Sequence, residues 1–170
     1  MKWGDVDFKQ LLRLQKRMEQ LQRRDAEEFC RTCAKELAAR LLAKVIRRTP
    51  VGEYPAASGM KGGTLRRGWT AKTEQEAIGG TGKKRLSNNE ALTFAQDFEI
   101  TKTGDVYQVE IINPVRYASF VEFGHRTRDH KRWISGRFML TISEKELEGQ
   151  VDSILEKKLT KFLGECINGK

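Results

Sequence analysis

Between Asp5 and Arg48 the apolar residues Phe8, Leu11, Leu12, Met18, Leu21, Phe29, Cys33, Leu37, Leu41 and Ile46 recur at spacings close to three and four. That recurrence places them on one face of an α-helix, so the first part of the chain (1–48) reads as a helical segment. Thr49-Pro50 ends it, because proline drives the residue before it out of the helical region. At the other end Asp5 or Asp7 can accept from the free amides of the first turn. A straight helix of this length would project far from a domain of the size that 170 residues allow, so a bend is expected near Arg23-Arg24-Asp25.

The helical period returns from Phe138 to Ile167, where Leu140, Leu147, Val151, Ile154, Leu155, Leu159, Phe162 and Leu163 share a face opposite many Glu and Lys. Between the two helices lie segments of other character. Residues 50–90 lose periodicity and carry Gly52, Gly59, Gly62, Gly63, Gly68, Gly79, Gly80 and Gly82, which predicts long mobile loops. Leu65, Trp69 and Ala71 predict one short strand within them. Leu92 to Thr101 and Val106 to Asn113 are rich in strand formers, and Lys102-Thr103-Gly104-Asp105 supplies a turn, so 92–113 predicts a β-hairpin. Pro114 breaks that hairpin, Tyr117 to Phe123 reads as a turn or short helix closed by Gly124, and His125 to Gly136 reads as a polar loop. The expected fold is therefore a single α+β domain over 1–170. Its antiparallel sheet contains a β-hairpin and packs against a long N-terminal helix and a C-terminal helix, with long mobile Gly-rich loops.

The chemistry is sparse. Three cysteines, Cys30, Cys33 and Cys166, do not make a disulfide framework, and the start of the chain lacks the pattern of a signal peptide, so a cytoplasmic setting is expected. No apolar run approaches the roughly 20 residues that cross a bilayer, and no membrane role is expected. Cys30 and Cys33 have the spacing of redox and zinc motifs but sit inside a helical pattern without a second pair, so they read as small hydrophobes. Glu122, His125 and His130 match no zinc signature, Ser119 and Ser135 lie in no nucleophile elbow, and Gly79 to Lys84 lacks the spacing of a phosphate loop. Neither catalytic residues nor a metal or other cofactor are expected.

What the chain has in excess is positive charge. Its 32 Lys and Arg against 23 Asp and Glu give a formal +9, a field that favours polyanions and acidic protein surfaces. Arg66, Arg67, Lys72, Lys83, Lys84, Arg85, Arg126, Arg128, Lys131 and Arg132 fall in the loop regions, where they can pair with phosphates, yet no nucleic-acid-binding motif accompanies them. Trp69 and Trp133 stand beside basic residues, the composition enriched in interface anchors. Arg66, Arg67, Trp69, Lys83, Lys84, Arg85, Arg126 and Trp133 are accordingly the expected partner-contacting residues.

Four blocks carry a resemblance. Thr49-Pro50-Val51, Gly63-Thr64-Leu65-Arg66-Arg67-Gly68-Trp69, Asn113 to His125 and Gly136-Arg137-Phe138-Met139-Leu140 resemble, in that order, the gene-product-ten family of lambda-like tailed phages. The block from Tyr117 to His125 is the most specific of them. The chain departs from the family pattern in two respects: Glu53 to Gly62 look inserted and replace an expected acidic residue, and the first helix is longer. The resemblance implies a structural virion protein of the neck or head-tail connector, one that completes the tail as an oligomeric ring between the head connector or stopper and the tail tube or terminator. It implies a channel in which any contact with DNA is non-specific, residence in the virion, and host cytoplasm during assembly. Tyr117 and Phe120 would then be packing aromatics. A tail terminator or a component of a contractile phage-tail-like particle would share the ring geometry, and a basic nucleic-acid-binding accessory protein is the alternative from another class.

Overall fold

A computed structural model of the chain describes residues 23–59 and 62–168. The expected N-cap at Asp5 or Asp7 and the stripe from Phe8 to Leu21 lie outside the described residues. Helix α1 (Arg23–Arg48) runs unbroken from Arg23. The bend expected near that point therefore falls at the edge of what is described.

α1 is the centre of the domain rather than one flank of it. Ala38, Ala39, Leu42, Ala43, Val45 and Ile46 are all buried, more of its circumference than an amphipathic surface helix covers. The stripe read from spacing is offset by one position: Cys33 and Ile46 are buried, but Leu37 and Leu41 are only half-buried while Ala38 and Leu42 lie inside. The reason is that alanines count weakly in a hydrophobic pattern. Here they let neighbouring helices approach closely, and that approach decides which face is covered.

The segment from Pro50 to Glu90, expected to be mobile loops with one strand, carries short helices between its loops and no strand among the described residues. A 3-10 turn (Ala56–Ser58) is followed by α2 (Thr64–Gly68) and α3 (Glu74–Gly79). Leu65 and Trp69 are both buried because four residues make one helical turn, not because they alternate along a strand. The glycine-rich run after α3 is tied down. A Cβ on Gly82 would come within 2.3 Å of the Arg67 carbonyl oxygen, the Lys83 amide donates to Thr70 Oγ1 at 2.8 Å, and Leu86 is buried.

α4 (Asn88–Ala95) overturns the first arm of the expected hairpin. Ser87 accepts from the Glu90 amide and the Glu90 carboxylate accepts from the Ser87 amide, a capping box that starts a helix despite the strand formers downstream. Ala91 and Ala95, one turn apart, are buried where α4 lies against α1. The hairpin itself is shorter than expected. β1 (Ile100–Thr103) and β2 (Val106–Val109) pair antiparallel with Ile100 opposite Val109 and Thr103 opposite Val106. Gly104 at φ 62° supplies the turn between them.

A second hairpin replaces the expected polar loop. α5 (Ala118–Phe123) leads directly into β3 (Gly124–Arg126), which pairs antiparallel with β4 (Trp133–Ser135). The expected single sheet is thus two separate two-stranded sheets among the described residues. The last element, α6 (Met139–Asn168), returns antiparallel along α1. Phe29 stacks on Phe162 with ring centroids 4.6 Å apart, Glu36 pairs with Lys158, and Glu146 takes Arg48 at 2.6 Å and Lys44 at 3.3 Å. One apolar core joins all of this, built from Leu42, Val45 and Ile46 of α1 with Leu65, Trp69, Leu86, Val115 and Met139.

Candidate partner-binding surface

The end of α1 is an internal knot. Thr49 is fully buried; its hydroxyl donates to the Val45 carbonyl at 2.6 Å and accepts from the Trp69 indole N–H at 2.7 Å. The Arg66 guanidinium donates to the Thr49 carbonyl, with Nε at 2.9 Å. Arg67, only 5% exposed, donates to the Ala77 carbonyl at 2.7 Å. Asn113 closes the knot by donating to the Leu65 carbonyl at 2.9 Å, against Gly68, where a Cβ would lie 2.2 Å from the Asn113 side-chain oxygen. Three of the blocks singled out in the sequence therefore meet here. Proline ends the helix, and the polar groups freed at its end are satisfied by Arg66 and Trp69.

The outward corner is built by α5. On this single turn and a half, Val121 and Glu122 point inward and Tyr117, Phe120 and Phe123 outward, at 41%, 56% and 62% exposure. The packing role expected for Tyr117 and Phe120 is thereby corrected: the helical phase that buries Glu122 turns both rings to solvent. Glu122 is 5% exposed and accepts from the amides of Leu140 and Thr141, both at 2.9 Å, and from the Thr141 hydroxyl at 2.8 Å. It thus holds the start of α6, where free amides and the helix dipole favour a carboxylate. Both of its oxygens are thus occupied by helix donors.

Gly124 makes the turn from α5 into β3. At φ 89° it sits where side chains are strained, and a Cβ would come 2.4 Å from the Ile134 carbonyl. Beyond it the second hairpin carries Trp133 and Ile134 on its outer strand, both exposed. Its tip is held by the Asp129 carboxylate, which accepts from the Thr127 hydroxyl and the Lys131 amide. Those two bonds hold the Asp129 carboxyl below its usual range, the Thr127 hydroxyl first. Tyr54, Tyr117, Phe120, His125, Ile134 and Arg137 line a cleft of about 420 Å³ at the foot of this hairpin.

The expected partner residues divide accordingly. Arg67 and Trp69 are buried, and Arg66 is half-buried on backbone carbonyls, so these three side chains are engaged within the chain itself. Lys83, Lys84, Arg85, Arg126 and Trp133 are exposed. Arg126 and Trp133 are cross-strand partners in the second hairpin. Phe123, Ile134 and Phe138, which are not among the expected partner residues, are exposed as well. Among the described residues no group of three His, Cys, Asp or Glu is placed to hold a metal, and no helix is long and apolar enough to cross a membrane.

A small α+β domain with a hydrogen-bonded interior knot and an outward aromatic, basic corner has the make-up of a binding protein. Residues 13–124 match the HK97-gp10-like family, described as "Bacteriophage HK97-gp10, putative tail-component", and the chain belongs to that family. It is a structural phage protein. The match takes in all of α1, which the resemblance read from the blocks did not, and ends at Gly124, so the block Gly136 to Leu140 lies beyond it. Comparison with curated proteins finds no match, and neither does comparison with solved structures.

Proposed function

We propose that this protein is a non-enzymatic virion component of the neck of a tailed phage or prophage, closing into a homo-oligomeric ring that completes the tail. Its partners in this reading are the head connector or stopper on one side and the tail tube or terminator on the other. The observation that supports it is the exposed belt of Tyr117, Phe120, Phe123, Trp133, Ile134 and Phe138. Large apolar side chains gathered at one corner mark a protein interface, since a monomer seldom leaves such a patch uncovered. Assembly would take place in the host cytoplasm.

The test is native mass by light scattering over a wide concentration range, with and without duplex DNA. A closed multimer of defined size without DNA is expected. A monomer that gains mass only with DNA, reversed by salt, would instead support the second reading, a nucleic-acid-binding accessory protein. That reading rests on the exposed Arg126, Arg128, Lys131 and Arg132 at the hairpin tip.

A further inference from the structure

We propose that the second hairpin of one copy docks in a groove beside the first hairpin of the next, a head-to-tail contact between copies of this chain. The inference deepens the ring reading and rests on it. Ala71, Val109, Ile112 and Pro114 line an open groove of about 990 Å³, with Glu99, Glu110 and one base, Lys72, also on its walls. Ile112 is 60% exposed there. Such a groove takes a chain segment rather than one side chain.

Charge complementarity names the occupant. Residues 97–110 contain Asp97, Glu99, Asp105 and Glu110 against Lys102, a net −3; Lys102 is itself paired with Glu27. Residues 124–137 contain Arg126, Arg128, Lys131, Arg132 and Arg137 against Asp129, a net +4 with both histidines neutral. All four of those acids and all five bases are exposed. Opposed potentials of this kind steer and register a protein contact. The apolar residues decide between protein and nucleic acid: Trp133 and Ile134 on the basic hairpin need an apolar counterpart, which phosphates do not supply and the groove does.

The two hairpins belong to opposite ends of α1. Lys102 of the first pairs with Glu27, while His125 and Ile134 of the second line the cleft together with Pro50. At 1.5 Å per residue those ends are about 34 Å apart, so the tip of one copy meets the groove of another. Contact between two different surfaces is heterologous, and it gives a ring if the rotation closes.

Two charge-reversed variants test this: a tip variant carrying Arg128→Glu, Lys131→Glu and Arg132→Glu, which takes residues 124–137 from a net +4 to a net −2, and a groove variant carrying Glu99→Lys and Glu110→Lys, which takes residues 97–110 from a net −3 to a net +1. Each alone opposes like charges, and its assembly midpoint in light scattering should rise by at least about tenfold. Mixed one to one, they restore opposite charges at every contact, and mass should return to the wild-type value. Rescue on mixing excludes misfolding as the cause. Wild-type assembly with both variants unaffected, or with no rescue on mixing, overturns the docking and leaves the ring. A wild-type chain monomeric up to about 1 mM overturns both. A monomer whose salt-sensitive DNA binding is lost in the tip variant assigns the tip to nucleic acid instead.

Discussion

Glu122→Ala tests whether one buried carboxylate holds the 30-residue C-terminal helix. In the folded protein that carboxylate accepts three hydrogen bonds from the first turn of α6, two from amides and one from the Thr141 hydroxyl. Hydrogen bonds to a charged group are each worth about 1.5–3 kcal/mol, and they do not add in full. The Thr141 hydroxyl can find water once the carboxylate is gone, whereas the Leu140 and Thr141 amides are half-buried and fixed in direction. Loss of a comparable N-terminal cap costs about 0.5–2 kcal/mol, and a charge at the dipole up to about 2 more. The expected total is about 2–4 kcal/mol. For a chain of this size that lowers the melting temperature by about 5–15 °C. Glu122→Gln keeps the shape but turns an NH₂ toward one amide donor, so about half the loss is expected. The assay is urea denaturation followed by far-UV circular dichroism at constant slope, with hydrogen exchange at Leu140 and Thr141 as the local readout. A Glu122→Ala variant within about 0.5 kcal/mol of wild type, with unchanged exchange at those amides, would refute the capping argument.

Thr49→Val preserves side-chain shape but removes the acceptor of the buried Trp69 N–H; the unmade bond should cost about 1–3 kcal/mol in denaturant unfolding. Leu42→Ala, at a fully buried position in the core, should cost about 2–5 kcal/mol in the same measurement. Glu90 supplies the pH dependence. Its carboxyl is lowered to about 2, first by the hydrogen bond from Lys83 and then by those from the Ser87 amide and hydroxyl. A depressed carboxylate contributes stability that is present above its ordinary value of 4.5 and is lost as pH falls toward 2. Thermal melts between pH 5 and pH 2 should therefore fall less steeply in Glu90→Gln than in the wild type, and parallel curves would contradict the assignment.

The long helices were legible because their period repeats over many turns, and Thr49-Pro50 marked the end of α1 through backbone sterics alone. The turn at Gly104 was legible for the same local reason. α2 and α3 were not, since five or six residues are too few to show a period. The capping box at Ser87 and Glu90 was present in the sequence but outweighed by the strand formers after it. The second hairpin has three-residue strands and a charged tip, so nothing in its pattern separates it from a loop. Trp69 lies inside and Phe120 outside for a tertiary reason. Thr49 offers the indole a buried acceptor, whereas the phase of α5 is set by Glu122 reaching the first turn of α6.

The way the second hairpin joins the body determines how the molecule carries load. Its far strand ends at Gly136, and from there the Arg137 and Phe138 amides donate to the Val121 and Glu122 carbonyls at 2.7 and 3.0 Å, just before α6 begins at Met139. The same Glu122 grips that helix through its carboxylate. A pull on the hairpin tip therefore runs through one backbone corner into the long axis of α6, and through Glu146 to Lys44 and Arg48 at the end of α1. The other strand of the hairpin is continuous through α5 with Asn113 of the buried knot, so both arms lead back to the end of α1.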